Sequence, residues 1–369
     1  MSAITIIDDY KSYNAVIDEV KCVNCGLCEK NCPNIKCVDK LNPLFWKEGW
    51  ALNPEIRNNA SSGGVASAII YSFIKDGGYV ASCMLNKGEF VFVLTSSTQI
   101  AERFTGSKYV KSNPKTIYRD IERKLKDGKK VLFIGLPCQV AALKKYLFVK
   151  KISLELLFTV DIVCHGTTPE QFLGEHIEHI EKKKKKKAIH VEFRDPDEKT
   201  SSFTFSLKDA EHTFYKRRVK ANDVYQIGYH AGITYRDNCY SCQFATRKRQ
   251  GDITLADFSY VGSYEFCSYS NENVSCVLIN SKKGESLFSE LCSTDRIFYE
   301  KRPIEEEVTT EKQLNYPTRV PREREKFLKE IKSNNGFEKA MKYAARKIMI
   351  VNTVKNITHI EKIKQIMSE

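Results

Sequence analysis

The run Cys22, Cys25, Cys28, Cys32, Pro33 constrains local folding more than any other stretch of this chain. It reads C-x2-C-x2-C-x3-C-P, the spacing with which a short bacterial ferredoxin loop wraps its thiolates around an iron-sulfur cube. Two intervening residues let a tight loop aim successive sulfurs at different irons, and Gly26 frees the backbone for close approach. A structural zinc site instead pairs two separate C-x2-C knuckles around one tetrahedral ion, so three evenly spaced thiols followed by Cys-Pro exceed what zinc needs. In two-cluster ferredoxins the fourth cysteine of each run serves the neighbouring cluster, and no second run stands near this one. Cys32 is taken as the fourth ligand, with Cys37, a distant thiol or a second chain as open alternatives.

The chain of 369 residues is 42% hydrophobic, enough to bury a full core in two or more compact units. The first residues, MSAITIIDDYKSYN, carry neither a basic n-region nor an apolar stretch, and no eighteen apolar residues follow one another anywhere. Secretion and membrane spanning are therefore not expected. Thirteen cysteines without an export signal point to metal or redox chemistry in a reducing cytoplasm, because disulfide frameworks belong to small secreted domains. Lys and Arg number 59 against 46 Asp and Glu, a net charge of +13 that favours anionic partners. Part of that excess is the unbroken run Lys182 to Lys187, read as a solvated segment.

Residues Leu41 to Asn59, rich in Asn, Pro and Trp, read as a linker ended by Ser61-Ser62-Gly63-Gly64. A helix follows from Val65 to the Gly77-Gly78 stop, with Ser62 as its cap. Two readings of its start stand side by side: an anion cradle of exposed amides beside glycines, or a plain serine cap with packing glycines. Strands GYVASCML and FVFVLT, a Gly106-Ser107-Lys108-Tyr109 turn and a helix from Pro114 to Lys126 come next. The alternation indicates mixed α/β structure. KKVLFIG suits a buried strand, and Pro137 opens the helix PCQVAALKKYL, so Cys138 sits where a strand hands over to a helix. ISLELLFTVDIVC repeats the pattern, ending in Cys164-His165-Gly166 before a capping box of Thr168, Pro169 and Gln171. Two thiols thus lie at the carboxyl ends of adjacent strands, where open α/β sheets put their ligands. Cys239-x2-Cys242 lies in a basic loop before a strand carrying Asp252 and Asp257; a lone C-x2-C fits a zinc knuckle, a redox dithiol or two cluster ligands. Cys83, Cys267, Cys276 and Cys292 read as small buried hydrophobes. From Pro317 the chain reads as basic packing helices, with a docking or membrane-surface role only if an apolar face stays uncovered.

The ordered set SSGGVASAI, GSKYVKS, VLFIGLPCQVA, VDIVCHG and CYSCQF…GDITLADF, from about Asn58 to Ile279, closely resembles the coenzyme F420 hydrogenase/dehydrogenase beta-subunit family, including bacterial members fused to ferredoxin domains. The resemblance implies an α/β (mixed α+β) flavoprotein domain binding FAD beside a 4Fe-4S cluster. It divides the chain into a ferredoxin-type segment and linker (1–56), a flavin and iron-sulfur domain (57–300) and a basic helical extension (301–369). It further implies Cys138, Cys164, Cys239 and Cys242 as ligands of a cluster near the flavin, and Gly63, Gly64, Ser107, Lys108 and Tyr109 around the flavin or its phosphates. Two departures stand out. Fused relatives usually carry two cysteine runs, so one N-terminal cluster, and two clusters in all, is the expected count. Ser259 occupies the position where the family's Asp-Phe is typically followed by tryptophan.

The function expected from residues and resemblance together is an iron-sulfur flavoprotein oxidoreductase. It would pass electrons between 4Fe-4S clusters and FAD, and on to a deazaflavin-like or other phosphorylated or sugar-type anionic substrate. His165 is the candidate proton donor, and the expected partner is a redox protein or ferredoxin-like donor, with homo-oligomers allowed. Two rival classes are a non-catalytic electron-transfer subunit of a larger complex and a zinc-stabilised, basic nucleic-acid-binding protein. Against the last, no aromatics interleave with a basic stripe, and nucleic acid is not an expected partner.

Overall fold

Residues 130–135 are apolar throughout except for Lys130, and a strand of that kind needs cover on both faces. The computed structural model supplies it. It describes residues 3–8, 13–35, 39–197, 203–258, 261, 274–333 and 335–366. Cys37, Ser259 and Cys267 lie outside the described residues. In chain order the strands are β1 Ile4–Asp8, β2 Tyr13–Ile17, β3 Phe45–Ala51, β4 Tyr79–Asn86, β5 Glu89–Thr95, β6 Val131–Gly135, β7 Leu157–Ile162, β8 His190–Glu192, β9 Thr204–Lys208, β10 Thr213–Arg218, β11 Ile253–Asp257, β12 Ser275–Ile279 and β13 Ile297–Lys301. Eight of them form one sheet in the order β13-β3-β12-β11-β7-β6-β4-β5. Its centre, β4, β6, β7 and β11, is parallel, and both wings are antiparallel.

Successive side chains of a strand point to opposite faces, and β6 shows the consequence. Leu132 and Ile134 join Ile69, Phe73, Leu287 and Phe288 under the helices Val65–Lys75 and Lys282–Ser293. Val131 and Phe133 join Ile121, Leu143 and Leu147 under the helices Ile117–Lys126 and Pro137–Val149. The expected α/β class is the observed one. A second body packs the small sheet β10-β9-β8 against the helices Glu170–Lys184, Val224–His230, Arg322–Lys332 and Gly336–Ala344 around Phe172, Phe205, Tyr225, Phe327 and Phe337. The C-terminal segment is therefore a packing element through residue 345, and a buried charge cluster pins it. His176 Nε2 stands 3.1 Å from Asp223 Oδ2 while Nδ1 meets Glu338 of the Gly336–Ala344 helix. Burial works against the imidazolium, but Asp223 and Glu338 together push it up to about 9. The last helix, Arg346–Ile366, leaves Ile350, Val351, Val354 and Ile357 exposed.

Several local expectations are corrected by tertiary contacts. The stretch Leu41 to Asn59 is not a linker: it holds β3, paired on both sides by β12 and β13, and the helix Pro54–Asn59 capped by Asn53 Oδ1. Trp50, which suggested an irregular segment, stacks on Phe298 of β13 with ring centroids 4.4 Å apart. Ser62 does not cap the next helix. Gly64 takes that position at φ 81°, while Ser62 Oγ donates to the carbonyl of Val274 at 2.8 Å. The Thr168 capping box does not form either, because Thr168 Oγ1 pairs with Thr234 Oγ1 at 2.8 Å and Pro169 becomes the cap. The helix expected from Pro114 begins at Ile117, after Lys115 turns to φ 45°. The Lys182 to Lys187 run is exposed, as expected, and straddles the end of the helix at Lys184, with Lys182, Lys186 and Lys187 paired to Glu178, Asp209 and Glu181. Cys276 is buried and Cys292 and Cys83 pack against apolar clusters.

Candidate functional site

The carboxyl ends of β6, β7 and β11 open onto two adjoining cavities, in keeping with where parallel sheets leave their ligand crevices. Cys138 stands at the second residue of the Pro137–Val149 helix after β6, and Cys164 two residues beyond the end of β7. Cys239 closes the single 3-10 turn Asp237–Cys239, and Cys242 follows three residues on. These four thiols, from three separate stretches of chain, line one cavity of about 580 Å³. Cys164 is pushed well above the ordinary thiol range by burial and by the sulfurs of Cys239, Cys138 and Cys242. Burial raises Cys242 as well, with Cys138 and Cys239 adding to it. Thr167 Oγ1 lies 3.8 Å from Cys239 Sγ. Among the described residues no three His, Cys, Asp or Glu side chains converge on the point that a single metal ion would occupy.

A buried ion pair carries the loop that holds two of these thiols. Arg249, 1% exposed, donates from Nη1 to the carbonyl of Thr246 at 3.0 Å and from Nη2 to Asp161 Oδ1 of β7 at 3.3 Å. Asp161 also accepts from the amides of Gln250 and Gly251 at 2.9 and 3.0 Å. The Cys239–Cys242 loop is thereby tied to the strand that leads into Cys164.

The second cavity, about 290 Å³, shares the wall Leu136, Gln139 and Cys164 to Thr167 with the first. Gly64, Ser107, Lys108 and Tyr109 line it. Gly63 packs instead on the sheet: a Cβ there would stand 2.5 Å from the Gly49 carbonyl, and its amide donates to Ser275 Oγ at 3.0 Å. The Lys108 ammonium already donates to the carbonyls of Phe104, Thr105 and Gly106 at 2.9, 2.8 and 2.9 Å, which uses its three hydrogens. Lys108 thus shapes the turn, and burial pushes its pKa down. Tyr109 stacks on Tyr229 with centroids 4.4 Å apart.

Arg194, absent from the sequence reading, gathers this cavity together. It donates from Nε to Tyr109 Oη at 2.5 Å, from Nη1 to the Ser61 carbonyl at 2.8 Å, and in a fork to Asp257 at 3.0 and 2.6 Å. One guanidinium therefore joins the SSGG turn, the GSKY turn and the end of β11. Nothing in the local sequence FRDPDE marks it, since its partners lie 63 to 133 residues away.

His165 lines both cavities, half exposed, with Nε2 3.2 Å from Glu311 Oε2. Glu311 also borders the smaller cavity and was likewise missed. Behind it, Glu307 is pushed up to about 9 by burial and by Glu311, Asp257 and Glu306. A raised carboxyl is protonated in the fold and ionised in the unfolded chain between about 4.5 and 9, so folding takes up a proton there and stability falls as pH rises. Glu307→Gln is expected to flatten that fall, which amounts to at most about 1.4 kcal/mol per pH unit. Urea unfolding of both proteins across this window measures the difference.

The N-terminal run sits beside the larger cavity. Gly26 takes φ 66° ahead of the short helix Leu27–Asn31, which lies against the Pro137–Val149 helix. Cys22, Cys25 and Cys28 are exposed and Cys32 is half-buried. Pro33 and Asn34 form part of the wall facing the four internal thiols. No helix among the described residues is long and apolar enough to cross a membrane.

Comparison with curated proteins finds no match. Among solved structures, a chain described as "Xenon derivatization of the F420-reducing [NiFe] hydrogenase complex from Methanosarcina barkeri" is similar at 17% identity and a TM-score of 0.49, over 87% of this chain and 93% of that one. Residues 128–306 match the family model for the C terminus of the coenzyme F420 hydrogenase/dehydrogenase beta subunit. That span contains all four internal thiols, His165, Arg194 and Asp257, while the N-terminal run and the SSGG and GSKY turns precede it. Over residues 128–306 the chain is thus similar to the C terminus of the coenzyme F420 hydrogenase/dehydrogenase beta subunit, a likeness that supports a redox role.

Proposed function

We propose that this chain is an iron-sulfur flavoprotein oxidoreductase that passes electrons between two 4Fe-4S clusters and FAD. The observation that carries the reading is the ring of Cys138, Cys164, Cys239 and Cys242 around one cavity, with Cys164 in the wall of a second. Four thiols lining one cavity suit a multi-iron cage, in which each iron takes one cysteine sulfur. Bound there, the clusters supply one-electron steps and the flavin converts them to two-electron chemistry.

The protein's own part is positioning and protons. Gly64 and Val65 open a helix whose first amides border the smaller cavity, a favourable place for anionic oxygens. Tyr109, Tyr229 and the Arg194–Asp257 fork give it a rigid aromatic floor. His165 stands where both cavities meet, its Nε2 3.2 Å from Glu311 Oε2, within reach of a group bound in either. The substrate is an anionic small molecule, deazaflavin-like or another phosphorylated or sugar-type compound, in keeping with the net charge of +13. The N-terminal thiols, with Val20, Val23, Leu27 and Ile35 exposed around them, form the face for a ferredoxin-like donor or other redox partner in the cytoplasm.

Anaerobic purification followed by iron, sulfide, zinc and flavin assays tests the reading. About eight irons, eight sulfides and one FAD per chain are expected. Colourless, zinc-loaded protein overturns it, and clusters without flavin reduce it to a passive electron-transfer subunit.

A further inference from the structure

Gln243 physically joins the two thiol sites. Its side chain, one residue beyond Cys242, donates from Nε2 to the carbonyl of Pro33 at 3.1 Å and to Asn34 Oδ1 at 2.9 Å, spending both amide hydrogens on the segment that leaves Cys32. Around it, Lys40 Nζ donates to the Gln243 carbonyl at 2.5 Å, and Leu41 and Arg249 exchange backbone hydrogen bonds of 2.8 Å in each direction. Among the described residues the run's helix Leu27–Asn31 lies against the Pro137–Val149 helix but buries no residue, and Val20, Val23 and Leu27 face solvent. With so little burial, hydrogen bonds of modest net worth each carry a large share of its placement, and one side chain supplies two of them.

We propose that Gln243 is the positioning residue that docks the N-terminal cysteine run against the internal thiol cavity, and that electrons cross between the two sites at the Cys32-Pro33···Gln243-Cys242 contact. This rests on the electron-relay reading above. With clusters held by Cys22, Cys25, Cys28 and Cys32 and by the four internal thiols, this contact would serve the passage of one electron out of the first site and into the second. No bond is made or broken and no proton moves, and the electron comes from an external one-electron carrier. The bridge accounts for why Cys32 alone among the four N-terminal thiols is drawn out of solvent. It also accounts for the polar residue beside Cys242, since the Pro33 carbonyl and the Asn34 amide oxygen need a donor that an apolar side chain lacks.

The experiment uses full-length holoprotein with Gln243→Glu, which keeps the shape but loses both N–H donors, and Gln243→Leu. Iron, sulfide and flavin are measured first. A wild type short of iron at either site defeats the relay reading itself, before any variant is considered. With both sites loaded, electron paramagnetic resonance of the dithionite-reduced protein reads the magnetic interaction between the clusters, and stopped flow reads flavin reduction. Both variants are expected to keep wild-type iron, to show a narrowed, weaker interaction, and to reduce flavin about tenfold more slowly as the docked population falls. Unchanged interaction and rate in fully loaded variants overturn the proposal. Hydrogen exchange on the wild type needs no variant: the Leu41 amide, which donates to the Arg249 carbonyl at 2.8 Å beside the Gln243 bridge, is expected to exchange slowly, and exchange as fast as in an unstructured segment overturns the docking.

Discussion

Cys164→Ser is expected to empty the internal cavity of its cluster while leaving the N-terminal one in place, so that iron falls to about half and electron flow from an external donor to flavin drops by roughly a hundredfold or more. The thiol stands two residues past the end of β7, in the wall common to both cavities. Serine keeps the shape but its oxygen is a poor match for iron in a sulfur cage. Burial and the three facing sulfurs push the Cys164 thiol up, and a positively charged metal centre bound there would favour its thiolate. Cys138→Ser, Cys239→Ser and Cys242→Ser should give the same half-loss of iron if the four thiols that line one cavity hold the one cage proposed there. Cys276→Ser, at a buried site away from both cavities, should leave iron and flavin unchanged. Iron content and flavin reduction by stopped flow read the result. Equal iron in Cys164→Ser and wild type would show that the four thiols do not hold a common cluster.

Arg249→Met carries the second large effect. Breaking a buried pair costs far more than the pair contributes, because the surviving charge is left in a dry interior, and about 3–5 kcal/mol is expected. Asp161, fully buried, keeps the amides of Gln250 and Gly251 and the Thr254 hydroxyl as donors, which places the loss toward the lower end of that range. The substitution also releases the carbonyl of Thr246, just past Cys242, so cluster content should fall together with stability. The urea midpoint and iron assay measure the two consequences. The double change Asp161→Leu with Arg249→Met removes both charges and is expected to recover part of the stability but none of the iron. A midpoint unchanged in Arg249→Met would show that the pair does not anchor the loop.

Both predictions concern residues whose roles were visible in the sequence to different degrees. Cys138 and Cys164 were placed at strand-to-helix junctions by the apolar runs VLFIG and LFTVDIV, because a parallel strand covered on both faces has an unmistakable composition. The helix after Pro137 was legible for the same local reason, a proline whose fixed φ suits the first turn. Arg249, by contrast, reads as one more cation in TRKRQ, and only the fold shows it 1% exposed against Asp161, 88 residues earlier. Trp50 and Phe45 likewise looked like parts of a linker, since a strand's identity depends on the neighbours β12 and β13 that pair with it. Ser62 and Thr168 had the right residue type for caps, yet each hydroxyl found a tertiary partner that won over the local one.

Spacing along the chain determined the chemistry: four N-terminal thiols at ferredoxin intervals, four more at strand ends and in a C-x2-C loop, and glycine turns ahead of helices. These are short-range patterns, written in neighbouring residues. Only the tertiary structure decided that Cys138, Cys164, Cys239 and Cys242 face one cavity, that Arg194 binds three distant motifs into the floor of another, and that Gln243 ties the first cysteine run to the second thiol group. The reason is physical. A hydrogen bond between groups 212 residues apart leaves no periodicity in either partner's surroundings, and it exists only once burial has brought them together.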